Sequence, residues 1–387
     1  MNLRHLRAVV EIAERGTMNA AAKAVNLTQP AITQALARLE QLLEFELFER
    51  RHDGMVPTPA ADLLVPRIKA ALEHVASPNA TIARLRALLA LADSGSYGGA
   101  SALTGLSLPS LHRAVNDLSL SMRRRLVERR GKVVVLTEAG QQVARSFRLA
   151  RAELEAGLAE VRALKGHETR RVSIGAMPLS RARILPAAVA RFLRKHPHVK
   201  VSIVEGSRGE LVEPLRNATI DLMVGAVRDP LLEPDLAQRS LFEDRPAVLA
   251  RAGHPLADGN ATLAELASYS WIIAAPGTPL RASWERMFTS AGQPIPPVPV
   301  ESGSVMMIRN LLVDSDFLTL LSPDQVAVEL EAGWLQIIAP APPELSRTIG
   351  VTTRASWRPT AAQADFLVDL EAVARNNLAR SAQRQED

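Results

Sequence analysis

The 387-residue chain has no cysteine. Disulfide scaffolds, thiol nucleophiles, iron–sulfur clusters and cysteine zinc sites are thereby excluded. It also lacks any run of about 18 apolar residues, and no basic stretch leads into an apolar one at its start. Neither a membrane span nor a secretory leader is expected, so the chain reads as soluble and cytoplasmic, with no membrane partner. The spacings G-x-S-x-G, G-x-x-x-x-G-K-[ST] and H-E-x-x-H are missing too. The "EGSRGE" stretch at 205–210 is no dinucleotide fingerprint, and His196 and His198, on either side of Pro197, suit a helix end better than a metal pair. No catalytic residue, metal or cofactor is expected, and the chain is not read as an enzyme.

What is present is ordinary globular material. Apolar residues make up 47% and charged residues 22%, core enough for two or three domains. The formal net charge is +5, but it is unevenly spread. Residues 1–165 hold 23 basic and 16 acidic residues, and the remainder 23 and 25. A polyanion-binding N-terminal part and a neutral remainder follow.

Sliding the chain by 79 residues superposes 6–60 on 85–139 without a gap, with 17 identities in 55 pairs. Chance would give roughly 4, so the reading is an internal duplication. Within the first copy, Leu3, Leu6, Val9, Val10 and Ala13 follow helical spacing and Gly16 closes the helix. A short Ala-rich helix, Asn19 to Val25, comes next. Thr28 is placed to cap a third helix with Pro30 in its first turn. Ile32, Leu36, Leu39 and Leu43 line one face of that helix; Pro30, Thr33, Gln34 and Arg38 project from the other. Asp53-Gly54 then signals a hairpin. Three helices plus a basic hairpin read as a winged helix-turn-helix. Its third helix fits a major groove, where Gln and Arg bind base edges, and Arg50 and Arg51 on the wing neutralise phosphates. Helical hairpins that serve packing alone are the bland alternative.

The Thr28-Gln29-Pro30-Ala31-Ile32-Thr33 stretch, the Arg38-Leu39-Glu40 step and the Leu47-Phe48-Glu49-Arg50 run resemble the N-terminal domain of LysR-type transcriptional regulators. The resemblance implies that Gln29, Pro30, Thr33, Gln34 and Arg38 read DNA, with Arg50, Arg51 and Thr58 on the backbone. Members of roughly 300 residues carry one such domain; removing one 79-residue repeat here leaves 308. The second copy keeps Ser107 as cap, Pro109 and the core positions, but Leu108, Asp117 and Ser119 replace Gln29, Arg38 and Glu40. Ser107, Ser110, His112, Arg113, Arg129, Arg130 and Lys132 are its candidate DNA contacts. It binds a second DNA segment, supplies nonspecific phosphate contacts, or acts as a spacer; the residues leave all three open.

From Thr137 to about Lys165 one long helix is expected. Val143, Phe147, Ala150, Leu154, Leu158, Val161 and Leu164 form a heptad-like seam for a second subunit. Packing on the chain's own core is the alternative, and the resemblance favours pairing. The helix Ala60–Val75 is expected to pack locally and end near Ser77-Pro78, and Lys165 to Thr169 reads as a hinge. Beyond Arg171, strands and helices alternate as an α/β domain with a largely parallel sheet. The resemblance implies a periplasmic-binding-protein-like, two-lobe effector domain.

Ligands of such folds sit on loops at strand ends and helix starts. The candidates are Met177, Pro178, Leu179, Ser180, Gly206, Ser207, Arg228, Gly277, Thr278, Ser304 and Val305, and ordinary capping competes at each. They suit a carboxylate, a sugar or a similar polar metabolite. "GAMPLSR" also resembles a LysR subgroup associated with sugar-responsive regulation.

The expected organisation is a multidomain chain: a first winged helix-turn-helix at 1–60, a connecting helix and linker at 61–81, and a second copy at 82–139. A dimerisation helix and hinge at 140–170 lead to an effector domain at 171–387. Its lobe one covers about 171–248 and 346–387, and lobe two about 249–345. The partners expected are double-stranded DNA, a small-molecule effector, further copies in a homodimer or homotetramer, and RNA polymerase. A small-molecule-binding module with only vestigial DNA binding is the alternative function.

Overall fold

The computed structural model describes residues 3–52, 54–75, 80–131, 133–166, 171–257 and 261–386, with side chains to 376. Asp53, Ser77, Pro78, Lys132, His167, Glu168 and Thr169, all invoked above, lie outside the described residues. The chain divides between Arg170 and Arg171 into two compact units, the stretch Arg216–Ala218 being grouped with the first.

The first unit opens with α1 (Leu3–Arg15), α2 (Met18–Ala24) and α3 (Gln29–Leu43). An antiparallel hairpin, β1 (Phe48–Arg51) and β2 (Gly54–Pro57), and the helix α4 (Pro59–Val75) follow. α1 stops where Gly16 turns to φ +70°, and Thr17 caps α2 by accepting from the Ala20 amide at 3.2 Å. Thr28 stands at the N-cap of α3, yet its side chain makes no capping bond, against expectation. Pro30 removes one of the two amides that such a cap accepts from. The hairpin is tied to α1 by Met55 N–H donating to Gly16 O at 2.7 Å. A Cβ on Gly54 would stand 2.5 Å from that oxygen, so the contact needs glycine.

The same order recurs in α5 (Ile82–Ser94), α6 (Tyr97–Thr104), α7 (Leu108–Met122), β3 (Val127–Arg130), β4 (Val133–Leu136) and α8 (Glu138–Ala163). Individual contacts recur at the 79-residue offset. Thr58 Oγ1 donates to Glu46 O at 2.7 Å, and Thr137 Oγ1 to Arg125 O at 2.6 Å. Lys69 pairs with Glu14, and Arg148 with Asp93. Glu44 and Arg123 both end their helices in the left-handed region. We refer to α1–β2 as head one and α5–β4 as head two.

Neither head closes its core alone. Head one buries Leu6, Ile12, Ile32, Leu36 and Leu39 with Leu64 and Ile68 of α4, and Val161, Leu154 and Leu158 of α8 pack on them. Head two buries Leu85, Leu88, Leu111, Val115 and Leu118 with Phe147 and Ala150 of α8, and with Ala71 and Val75 of α4. The long helices lie against each other around Gly157, where a Cβ would meet Leu64 Cδ1 at 2.9 Å. Arg67 of α4 is buried there between Glu153 and Glu160 of α8, at 3.0 Å from each. Burial disfavours its charge, but the two carboxylates raise its pKa above the ordinary arginine value. The seam expected to meet a second subunit is therefore largely spent inside the chain. Its partner helix, α4, belongs to the same polypeptide, and of the seam residues Leu164 is exposed.

The second unit holds two sheet regions. β5 (Arg171–Ala176), β6 (Lys200–Glu205), β7 (Leu222–Ala226), β8 (Leu236–Asp244) and β14 (Arg347–Arg354) make a five-stranded sheet in the order β6-β5-β7-β14-β8. The helices α9 (Ile184–Lys195), α10 (Arg208–Arg216) and α15 (Ala361–Glu386) belong to the same region. β9 (Ala247–Arg251), β12 (Thr319–Leu321) and β13 (Leu335–Pro340) make a three-stranded sheet. Joined to it are α11 (Leu263–Ala267), the parallel pair β10 (Ile272–Ile273) and β11 (Val300–Glu301), α12 (Pro279–Thr289), α13 (Val305–Val313) and α14 (Ala327–Glu331). Trp271, Trp284 and Phe288 fill its centre, with Phe288 edge to face against both tryptophans.

The largely parallel sheet expected from the sequence is mixed. β5 runs parallel to β6 and β7, whereas β14 is antiparallel to both β7 and β8, and β9 is antiparallel to β12 and β13. The strand–helix alternation that signals parallel pairing ends at β7, because no helix intervenes before β8. Where the chain passes between the sheet regions, buried Asp244 accepts from Ser322 Oγ and, at 2.9 Å, from Arg347 Nε. Asp369 of α15 binds Arg191 and Lys195 of α9. Burial works against its charge, but the two cations hold its carboxyl below the ordinary range.

Arg67→Ala leaves Glu153 and Glu160 facing each other without their cation. It should destabilise the first unit by about 3–5 kcal/mol, read as a lower urea midpoint of helical circular dichroism. An unchanged midpoint would show that the pair is not buried in solution.

Candidate nucleic-acid interface and effector cleft

α3 presents Gln29, Pro30, Gln34 and Arg38 to solvent, because the 3.6-residue repeat turns Ile32, Leu36 and Leu39 inward. Thr28 is exposed beside them. Thr33 is half-buried and donates to Gln29 O at 3.0 Å. Arg50 and Arg51 are exposed on β1, with Arg51 paired to Glu49 at 2.8 Å. Thr58 differs from the expectation of a backbone contact: its hydroxyl is committed to Glu46 O and joins the hairpin to α4.

On α7, Ser107 caps the helix and its oxygen lies 2.9 Å from Ser110 Oγ, so both hydroxyls are engaged locally. The His112 ring stacks on Tyr97 with centroids 3.6 Å apart. Burial raises the Tyr97 hydroxyl above its usual pKa. Arg113 and Asn116 are exposed next to this stack, and Asp117 is tied back to Arg84 at 3.2 Å. Arg129 is exposed, and Arg130 pairs with Glu128 at 2.8 Å.

A cleft of about 820 Å³ runs along α7 and is lined by Tyr97, His112, Arg113, Asn116, Ser119, Arg123, Arg124 and Arg125. Head one carries Glu40, Glu44 and Glu46 where head two has Ser119, Arg123 and Arg125. Glu40 there accepts from the Leu47 amide at 2.8 Å, and Lys165 binds Glu44 O and covers the Phe45 ring. Residues 3–60 hold seven basic and seven acidic residues, while 82–139 hold nine and four. The basic excess, which sequence reasoning gave to the N-terminal part as a whole, belongs to head two and not to head one.

In the second unit a cleft of about 770 Å³ lies between the five-stranded and three-stranded regions. Pro178 and Arg181 line it from the 3-10 turn at Pro178–Arg181, Arg183 from the start of α9 and Glu205 from the end of β6. Ser304, Val305, Met306 and Arg309 come from α13, and Asp324, Glu329 and Glu331 from the segment around α14. Arg183 reaches across the cleft to Glu331 at 3.4 Å and Asp324 at 4.0 Å. Ser304 caps α13 and leaves its N-terminus at the cleft wall.

The sequence-predicted ligand residues divide. Pro178, Ser304 and Val305 line this cleft. Ser180 is fully buried and donates to Met177 O at 2.9 Å, and Leu179 sits in the core, so neither offers a ligand its side chain. Met177 packs against Gly225. Ser207 binds Glu210 through its N–H and hydroxyl, both lowering the Glu210 pKa. Gly206 stands against Leu211, Arg228 lies 3.7 Å from Glu233, and Thr278, after Gly277, caps α12. Arg181 belongs to the "GAMPLSR" loop that sequence reasoning had chosen, but Arg183 and Arg309 were missed. The one signal was their position at helix starts and within a helix turn of the loops it had chosen.

Among the described residues no helix is long and apolar enough to cross a membrane, and no cluster of metal-ligating side chains occurs. The family model described as the LysR substrate binding domain matches residues 165–374. That for the bacterial regulatory helix-turn-helix protein, lysR family, matches residues 3–62 and again 82–141. The chain is 32% identical over 366 residues to the HTH-type transcriptional regulator GalR of Pseudomonas putida, covering 91% of this chain and 92% of GalR. It is 30% identical over 280 residues to the SDS degradation transcriptional activation protein of a Pseudomonas strain, covering 70% and 89%. Among solved structures it resembles LysG of Corynebacterium glutamicum with bound effector arginine (TM-score 0.56, 18% identity, covering 76% of this chain and 98% of that one). It also resembles full-length CbnR complexed with its target DNA (TM-score 0.52, 18% identity, covering 75% and 99%). The relatives named are transcriptional regulators and not enzymes, and with both family models matched the chain belongs to the LysR family of transcriptional regulators, with a DNA-binding helix-turn-helix and an effector-binding domain.

Proposed function

We propose that the two heads are tandem winged helix-turn-helix domains, 1–60 and 82–139, that arose by duplication. The recurrence of single contacts at one offset carries this reading, above all the Lys69–Glu14 and Arg148–Asp93 pairs. The GalR alignment, which takes in 91% of the chain, supports it. Gln29, Gln34 and Arg38 of head one face base edges, and Arg50 and Arg51 the phosphates. The chain acts in the cytoplasm as a homo-oligomer whose subunit contacts lie outside the α4–α8 pair.

The second unit is a two-lobe, periplasmic-binding-protein-like sensor with lobes about 171–248 plus 346–387 and 249–345. Its effector is a small carboxylate or similarly polar metabolite held in the cleft of Arg181, Arg183 and Arg309 at the start of α13. A ligand carboxylate competes with Glu331 and Asp324 for Arg183, and so changes the one set of ion pairs described that joins the cleft walls. Lobe closure then alters the DNA-bound state, as differential affinity for two conformations requires. RNA polymerase is the further contact through which a changed DNA complex acts.

Gln34→Ala or Arg38→Ala should cost about 1–3 kcal/mol against operator DNA and little against random DNA, measured by fluorescence anisotropy on both duplexes. Unchanged discrimination in Arg38→Ala would show that α3 is not the reading helix. Arg50→Ala should weaken both duplexes alike and reduce the slope of log K against log salt by about 1.

For the sensor, Arg183→Ala should lower affinity for the effector acid at least tenfold in calorimetric titration, the scale of one lost charge-assisted hydrogen bond of about 1.5–3 kcal/mol. Equal affinity would move the ligand away from this cleft.

A further inference from the structure

Head two is built on the same frame as head one but offers DNA a different surface. Of its reading-helix residues, Asp117 is drawn back by Arg84, Ser110 is engaged with Ser107, and Leu108 stands where head one has Gln29. What it presents is charge. Arg113, Arg123 and Arg124 are all exposed on one cleft, whose counterpart in head one holds Glu40 and Glu44, with Lys165 bound to Glu44 O. A head with a net charge of +5 beside one with none, on equal 58-residue spans, divides the labour of DNA binding: base recognition needs few charges, and backbone grip needs many.

The heads are also mechanically one body. α4 enters both cores and so does α8, and Arg67 fastens the two helices through Glu153 and Glu160. We infer that a single chain is a complete, two-headed DNA grip: head one reads sequence, and head two clamps the backbone of a neighbouring segment through Arg113, Arg123 and Arg124. This rests on the tandem-domain reading proposed above and adds to it the stoichiometry and the unequal roles. The site is not a palindrome read by two equal subunits. It has one read part and one gripped part, and the second adds affinity because it is already tethered beside the first.

The test uses the full chain. An operator duplex is trimmed to the shortest length that keeps full affinity, and chains per duplex are counted by native mass spectrometry and by stoichiometric titration. At saturating duplex one duplex per chain is expected, so that an oligomer of n chains takes up n duplexes. Arg113→Gln with Arg124→Gln should lower affinity on that duplex about tenfold at moderate salt, reduce the salt slope by about 2, and leave the operator-to-random ratio intact. Both side chains are exposed, so the fold is spared. A ratio that stays at two chains per duplex when duplex is saturating, or an unchanged salt slope, overturns the inference; in the second case the arginine cleft serves an acidic protein partner instead. Wild-type protein with no sequence preference at any salt would be a different failure, that of the DNA reading itself.

Discussion

The first unit depends on one exchange: each long helix completes the core of the head it does not follow. α8, which leaves head two, brings Val161, Leu154 and Leu158 to head one, and α4, which leaves head one, brings Ala71 and Val75 to head two. A head of about 58 residues buries too little apolar surface to be comfortable alone. Borrowing a helix enlarges both cores. Arg67 sits at the crossing with its charge compensated on two sides, and a buried ion triad of this kind secures register more than it adds stability. The positions of the exposed side chains on α3 and of the arginines on α7 are consequences of that joint packing.

The second unit meets a different demand. As the proposed effector site, its cleft must be polar enough to recognise a small ligand and still yield when the ligand arrives. Arg181, Arg183 and Arg309 are each already paired with a carboxylate, to Glu205, to Glu331 and to Glu329. An incoming anion exchanges one counter-charge for another, which costs less than bringing a bare guanidinium out of water. Around this, the Asp244–Ser322–Arg347 group fastens the passage between the sheet regions.

Much of this was legible in the amino-acid order, and the failures have identifiable causes. Head one could be read because glycine and helical periodicity are local signals that fall where the backbone turns, whereas the cap read at Thr28 is not made and the one at Thr17 was not foreseen. The family was legible because the Thr28–Thr33 and Leu47–Arg50 runs are short and specific. The seam of α8 was seen but its partner was misjudged, since periodicity reveals an apolar face and not which helix covers it. The parallel sheet was over-extended because β8 alternates half-exposed residues that resemble a loop, and because β14 reaches its neighbours from more than a hundred residues away. Ser180 suggested a ligand by its place before a helix, yet its hydroxyl is satisfied by a carbonyl three residues back. Arg183 was overlooked since its partners, Asp324 and Glu331, are remote in the chain.

The Arg67 triad also bears on how such a chain keeps to itself in a cell with many related regulators. Moving back by 79 residues, Glu153 falls on His74 and Glu160 on Thr81, and Arg67 falls forward on Ser146. An α4 set against another α4 therefore buries two guanidinium groups with no carboxylate between them. An α8 set against another α8 gathers four carboxylates with no cation. Only the unlike pairing sets a cation between carboxylates. A foreign helix without acids at those two places would leave Arg67 bare, so the triad disfavours the exchange of either long helix for one that lacks them.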